Sequence, residues 1–176
     1  MTTLSDANYL ENVKKTFDYY RAIGAQAMDQ VSPNRINWYF HNDSNSLAIL
    51  VKHMSGNLLS RFTDFLISDG EKPWRDRDEE FVDDILSMEQ LSAVWNQGWT
   101  CLVMTLDTLT EGDLSKTVKI RGEDHTVVEA LNRQLAHQAY HVGQIVFLCK
   151  MLSKDWKSLS IPKQGSKAFN EEKLSV

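Results

Sequence analysis

Eight glycines and three prolines are all that 176 residues contain, about half the combined share of roughly 12% seen in ordinary globular chains. Sandwiches and barrels reverse direction every few residues and use glycine and proline at those reversals. Their scarcity therefore selects long helices with few connections. Hydrophobic residues make up 42%, enough for a packed core, which excludes a disordered or fibrous chain. The length fits one domain over residues 1–176.

Apolar residues recur at three- and four-residue steps in four segments. The first, 4–29, carries Leu10, Val13, Phe17, Tyr20, Ala27 and Met28 and stops before Ser32-Pro33, because the residue preceding proline is pushed out of the helical region. A polar loop holding Trp38, Tyr39 and Phe40 leads to the second, 46–68, with Ser44 or Asn45 as its cap. Leu47, Leu50, Met54, Leu58, Phe62 and Phe65 share its apolar face. Ser87 with Gln90, and Thr126 with Glu129, have the spacing of capping boxes. They open the third and fourth helices, 87–109 and 126–153. Residues 117–125, centred on Gly122, have the pattern of a short hairpin. The expected fold is all-α, a four-helix bundle with a short β-hairpin before the fourth helix. The tail from residue 154 is not periodic and is expected to pack across the bundle through Trp156, Leu159 and Ile161.

Charge limits the partners. The net charge of −5 offers no general attraction to nucleic acid or to anionic membranes, and no basic stripe or reading helix is present. Residues 64–89 hold ten of the acidic side chains and three basic ones, a density usual for solvated surface. The opening Met-Thr-Thr-Leu-Ser-Asp lacks the basic start and apolar run of a signal peptide. The longest apolar runs are five residues, far below the ~20 that span a bilayer. Two cysteines, Cys101 and Cys149, match no zinc or redox spacing. Together these features predict a cytoplasmic protein with no membrane contact.

The five histidines are the chemically informative residues. On the fourth helix Gln134, His137, His141 and Gln144 advance by three, four and three residues along the border of the apolar face. On the second, His53, Asn57, Arg61 and Asp64 do the same. A polar seam beside a core must be hydrogen-bonded, hydrated or metallated, since burying it unpaired is costly. His-x-x-x-His sets two imidazoles one turn apart, the spacing for two ligands on one ion, and His53 on a facing helix would supply a third. Three neutral imidazoles suit zinc, nickel or iron and leave positions for water or substrate. Asn57 and Gln144 are candidates for orienting ligands or substrate. Arg61 could hold a carboxylate, or form an exposed pair with Asp64. His41 and His125 fall in expected loops and call for no role beyond solvation. Cys149 lies in the apolar stripe, as a structural thiol would.

Two segments resemble the DinB/YfiT-like superfamily of four-helix-bundle metalloenzymes: Lys52-His53-Met54-Ser55-Gly56-Asn57 and His137-Gln138-Ala139-Tyr140-His141-Val142-Gly143-Gln144-Ile145. Their order and separation are similar too, and the likeness covers nearly the whole chain. Asp69-Gly70-Glu71-Lys72-Pro73-Trp74 and Trp156-Lys157-Ser158-Leu159-Ser160-Ile161-Pro162 resemble a subgroup of unknown function. The resemblance implies a divalent metal on His53, His137 and His141, frequent homodimers, and in some members thiol-dependent S-transferase or isomerase activity with a low-molecular-weight thiol. Fold does not fix activity, so two classes of function stand. One is a metal-dependent enzyme that presents a thiol, or in a hydrolase water, to a small-molecule substrate. The other is a non-catalytic dimeric bundle binding a ligand or partner through Trp38, Tyr39, Phe40 and Trp74. Neither motif contains a well-placed carboxylate base.

Overall fold

The structure is a computed structural model and describes residues 6–174; the expected start of the first helix, at residue 4, lies outside them. Four long helices form the body: α1 (Asp6–Met28), α2 (Leu47–Phe62), α3 (Met88–Thr108) and α4 (Val127–Leu152). α2 packs chiefly on α3, and α1 on α4. Between β1 (Thr117–Ile120) and β2 (Glu123–Thr126) runs an antiparallel hairpin that leads directly into α4. A last helix, α5 (Ser166–Leu174), follows. The expected helical bundle with its hairpin is therefore what folds.

Helix ends follow local chemistry more closely than periodicity. Thr126 Oγ1 accepts from the Glu129 amide, and the Glu129 carboxylate accepts in return from the Thr126 amide, so the box predicted for α4 is complete. At α3 only half of it forms. Ser87 accepts from the Gln90 amide, while the Gln90 side chain accepts from Leu86 instead. The α2 cap is Ser46 rather than Ser44 or Asn45. Its Oγ accepts from the Ile49 amide at 3.2 Å and donates to Asp83 at 2.5 Å, which fixes the buried residue in place. α2 also ends six residues before the expected 68. Thr63 leaves helical geometry and Asp64 takes a positive φ of 51°. Phe65 is still buried, its ring 5.1 Å from that of Phe62. It reaches the core from a turn, so the apolar period outlasts the helix.

The core is continuous through all four helices. Phe17, Met54, Leu58, Trp99, Leu102, Leu131 and Ile145 are almost wholly removed from water; each such side chain contributes about 1.5–3 kcal/mol of transfer free energy. α3 can lie close against α2 because Gly98 sits over Ser55, where a Cβ would collide with the neighbouring backbone. Trp156 and Leu159 pack on the core as expected, whereas Ile161 is exposed. α5 buries no residue. A helix without a core-facing stripe leaves no periodic signal.

Two connections position the site. The hairpin turns through Arg121 (φ 57°) and Gly122 (φ 78°), the left-handed pair that two-residue hairpins require. For arginine this conformation costs about 1 kcal/mol. The Asp69 carboxylate holds it, accepting from the amides of Arg121 at 2.9 Å and Gly122 at 2.7 Å, and from its own neighbour Glu71 at 2.7 Å. The second connection, residues 63–87, is the acidic stretch. Most of it is solvated, as expected, but Lys72, Glu80 and Ile85 are buried against the bundle. It lies along α2 and carries one carboxylate into the protein.

Candidate metal centre

His53 comes from the middle of α2, and His137 and His141 from successive turns of α4. The two helices bring the seams together. Ring centroids stand 5.4 Å apart for His53–His137, 5.0 Å for His53–His141 and 4.5 Å for His137–His141. One ligand nitrogen from each lies within 4.8 Å of the other two. Burial, reinforced by the neighbouring imidazoles, lowers the His137 pKa to about 3 and also holds His141 below its usual value. Both rings are neutral at pH 7 and keep lone pairs for a cation.

Each ring is supported differently. His53 Nδ1 stands 2.9 Å from Glu80 Oε2. A carboxylate can only accept, so Nδ1 carries the proton in this contact. Glu80 is buried on a short 3-10 turn, Glu79–Phe81, and is in turn gripped by Arg75 through contacts of 2.7 and 3.0 Å. Burial alone would raise the Glu80 carboxyl; the hydrogen bonds from His53 and Arg75 outweigh it and keep it below the usual carboxylate range. His141 Nδ1 meets Gln144 Oε1 at 2.7 Å, and Gln144 Nε2 donates to Tyr140 Oη at 3.1 Å. His137 Nδ1 is buried with no hydrogen-bond partner among the described residues. Phe81 and Tyr140 flank the cluster, their rings 5.5 Å from His53 and 4.9 Å from His141.

The residues present suit a divalent ion. Three nitrogens around a zinc-sized ion stand about 3.3 Å apart, so a set already within 4.8 Å closes by small side-chain rotations. A buried imidazole nitrogen without a partner is the kind of group a cation would satisfy. Two of the three rings already have Nδ1 engaged in a hydrogen bond.

Of the other candidates, Gln144 orients His141, and Asn57 joins the seams by accepting from Gln134 Nε2 at 2.9 Å. Arg61 does not form an exposed pair with Asp64. It is buried, donates to the Gly70 carbonyl, and pairs with Glu71 at 3.3 Å. His41 is exposed. His125 is not in a loop: it lies on β2 opposite Val118 and is half-buried. Burial pushes the Cys149 thiol up to about 12, consistent with a structural role. Glu80 and Arg75 were hidden in the acidic stretch. One signal did point to them: Gly56 stands inside α2, where glycine costs about 1 kcal/mol relative to alanine. A Cβ there would strike the Glu80 carboxylate.

Fold and cluster together define a helical bundle with a three-histidine group. A family model described as "Protein of unknown function (DUF1572)" matches residues 5–165, and the chain belongs to that family. A crystal structure of a DinB-like protein from Bacillus cereus ATCC 10987 superposes with a TM-score of 0.59 at 13% identity, covering 83% of this chain and 97% of the other. The likeness is one of fold. No curated protein matches the chain. Among the described residues, no helix is long and apolar enough to cross a membrane.

Proposed function

We propose that the protein is a metal-dependent enzyme acting on a small molecule, with His53, His137 and His141 as ligands of a divalent zinc, nickel or iron ion. The observation that carries this reading is the convergence of three histidine nitrogens within 4.8 Å, two of them with the remote nitrogen already engaged. An ion held by neutral imidazoles alone keeps its full charge and lowers the pKa of a thiol or water brought beside it. The favoured activity is thiol-dependent S-transfer, in which a low-molecular-weight thiol is delivered to a small electrophile. Hydrolysis is the variant with water in the thiol's place. In either case the chain's own work is positioning. Glu80 and Gln144 fix two rings, while Asn57 and Arg61 face the adjoining cavity and can orient a bound molecule.

A cytoplasmic homodimer is part of this reading. Tyr140, Phe147 and Met151 form an exposed apolar stripe along α4, and a Cβ at Gly143 beside it would meet nothing within 4 Å, so a second copy could approach closely. The test is elemental analysis of protein purified without a histidine tag, beside a His137→Ala/His141→Ala variant. Wild type should hold about one metal equivalent per chain, and the variant almost none. Equal traces in both would overturn the site and favour a non-catalytic bundle.

A further inference from the structure

The cavity next to the histidines has a charge opposite to that of the chain. It measures about 200 Å³ and is walled by α2, α4, the hairpin and residues 63–87. Arg61, Arg75, Arg77, Lys119, Arg121 and Arg133 all line it, and no carboxylate does. The carboxylates that answer these cations stand behind the wall. Glu80 takes Arg75; Glu71 is shared by Arg61 at 3.3 Å and Arg121 at 3.0 Å; Asp124 takes Lys119 at 2.5 Å. Asp69 is occupied by the backbone of the hairpin turn. Arg77 and Arg133 have no carboxylate partner among the described residues; the Arg77 guanidinium lies 5.9 Å from the Phe81 ring centroid. Phe62, Phe65 and Ile120 supply an apolar floor.

Guanidinium forks match the planar oxygen pairs of carboxylates and phosphates. A cleft lined by one sign of charge, with apolar walls, concentrates ions of the opposite sign. The turn at Arg121 adds to this, because a left-handed backbone is maintained there with an arginine at its tip. Such strain persists only where surrounding structure enforces it, and Asp69 does so. We propose that this cavity is an anion subsite for a small molecule carrying a carboxylate or phosphate group. Arg77 and Arg133 bind the group, with Arg61 and Arg121 deepening the positive field. His53 and His137 line the same cavity, so a molecule anchored by its anion presents its other end to the histidines. This names the substrate class of the function proposed above and rests on that reading for the reaction; the binding itself needs no metal.

The experiment is titration calorimetry on tag-free, metal-free protein at low ionic strength. Succinate and inorganic phosphate are the probes and neutral succinamide is the control. Three further proteins are titrated: Arg77→Ala/Arg133→Ala, Arg121→Ala, and Lys150→Ala on an exposed part of α4 outside the cavity. Wild type should bind at least one anion saturably and ignore succinamide. The Arg77→Ala/Arg133→Ala protein should bind roughly tenfold or more weakly, and Arg121→Ala more weakly than wild type. Lys150→Ala should stay within about twofold of wild type. Both Arg77 and Arg133 are exposed, so the double variant should keep its fold, checked by circular dichroism. Succinate alone would assign a carboxylate, phosphate alone a phosphate. No saturable anion binding, undiminished binding by the double variant, or an equal loss in Lys150→Ala would overturn the subsite. Failure of the metal reading shows separately, as equal metal content in wild type and the two-histidine variant.

Discussion

The two helices that supply the histidines brace them in opposite ways. On α2, His53 is buried and backed by a carboxylate that is itself buried and clamped by Arg75, whose side chain is 3% exposed. On α4, His141 leans on the half-exposed Gln144, and His137 Nδ1 has no support among the described residues. The α2 side is thus a charge-assisted platform, whereas the α4 side is supported only from within its own helix. Its two rings already stand one turn apart, their centroids 4.5 Å from each other in an edge-to-face arrangement. His53 must face them from another element, across a helix contact much thinner than those of α2 with α3 and α1 with α4. Its orientation has to be set by something outside the helix.

That contrast can be broken from either side. The largest effect is expected for Glu80→Ala, which leaves Arg75 buried without its partner. Loss of one member of a buried ion pair costs about 3–5 kcal/mol, measurable by urea unfolding of the metal-free protein. In the milder Glu80→Gln, zinc affinity should fall about 10–100-fold. If Glu80→Ala were no more harmful than a surface change, the platform would not be structural. Gly56→Ala should come next. It gains about 1 kcal/mol in helix propensity but drives a methyl group into the Glu80 carboxylate, for a net loss of about 1–3 kcal/mol. Combining it with Glu80→Ala should remove most of that penalty in a double-mutant cycle; simple additivity would mean the collision is relieved elsewhere. The smallest effect is expected for Gln144→Ala, under about 1 kcal/mol in stability, with a loss of zinc affinity well below that of Glu80→Gln.

The same contrast explains what could be seen in the sequence. His137, His141 and Gln144 are neighbours on one helix, and their spacing alone sets their geometry. His53 was recognisable because the residues at steps of four from it are polar while the stripe beside it is apolar. Glu80 has no such regularity. It belongs to an irregular segment whose charge density marks solvent, and its burial arises from a tertiary contact made possible by an absent side chain at Gly56. The arginines around the cavity were scattered for a related reason. Five of them come from four separate parts of the chain, and only Arg61 stood on a seam. In the fold, the bundle and hairpin were legible from period and turn chemistry. The early end of α2 was not, because Phe65 continues the apolar rhythm from a turn, and α5 was missed because it has no rhythm to show.

Asp69 links two parts of the chain that lie about fifty residues apart in sequence, its carboxylate receiving the amides of Glu71, Arg121 and Gly122. The Gly70 amide also donates to the Lys119 carbonyl at 2.8 Å. The rim of the cavity is consequently riveted at one point, and the loop and hairpin cannot part without releasing all of these amides together. Access to the interior on that side is then a single cooperative event, recorded as one shared rate of hydrogen exchange rather than as independent fraying of two loops.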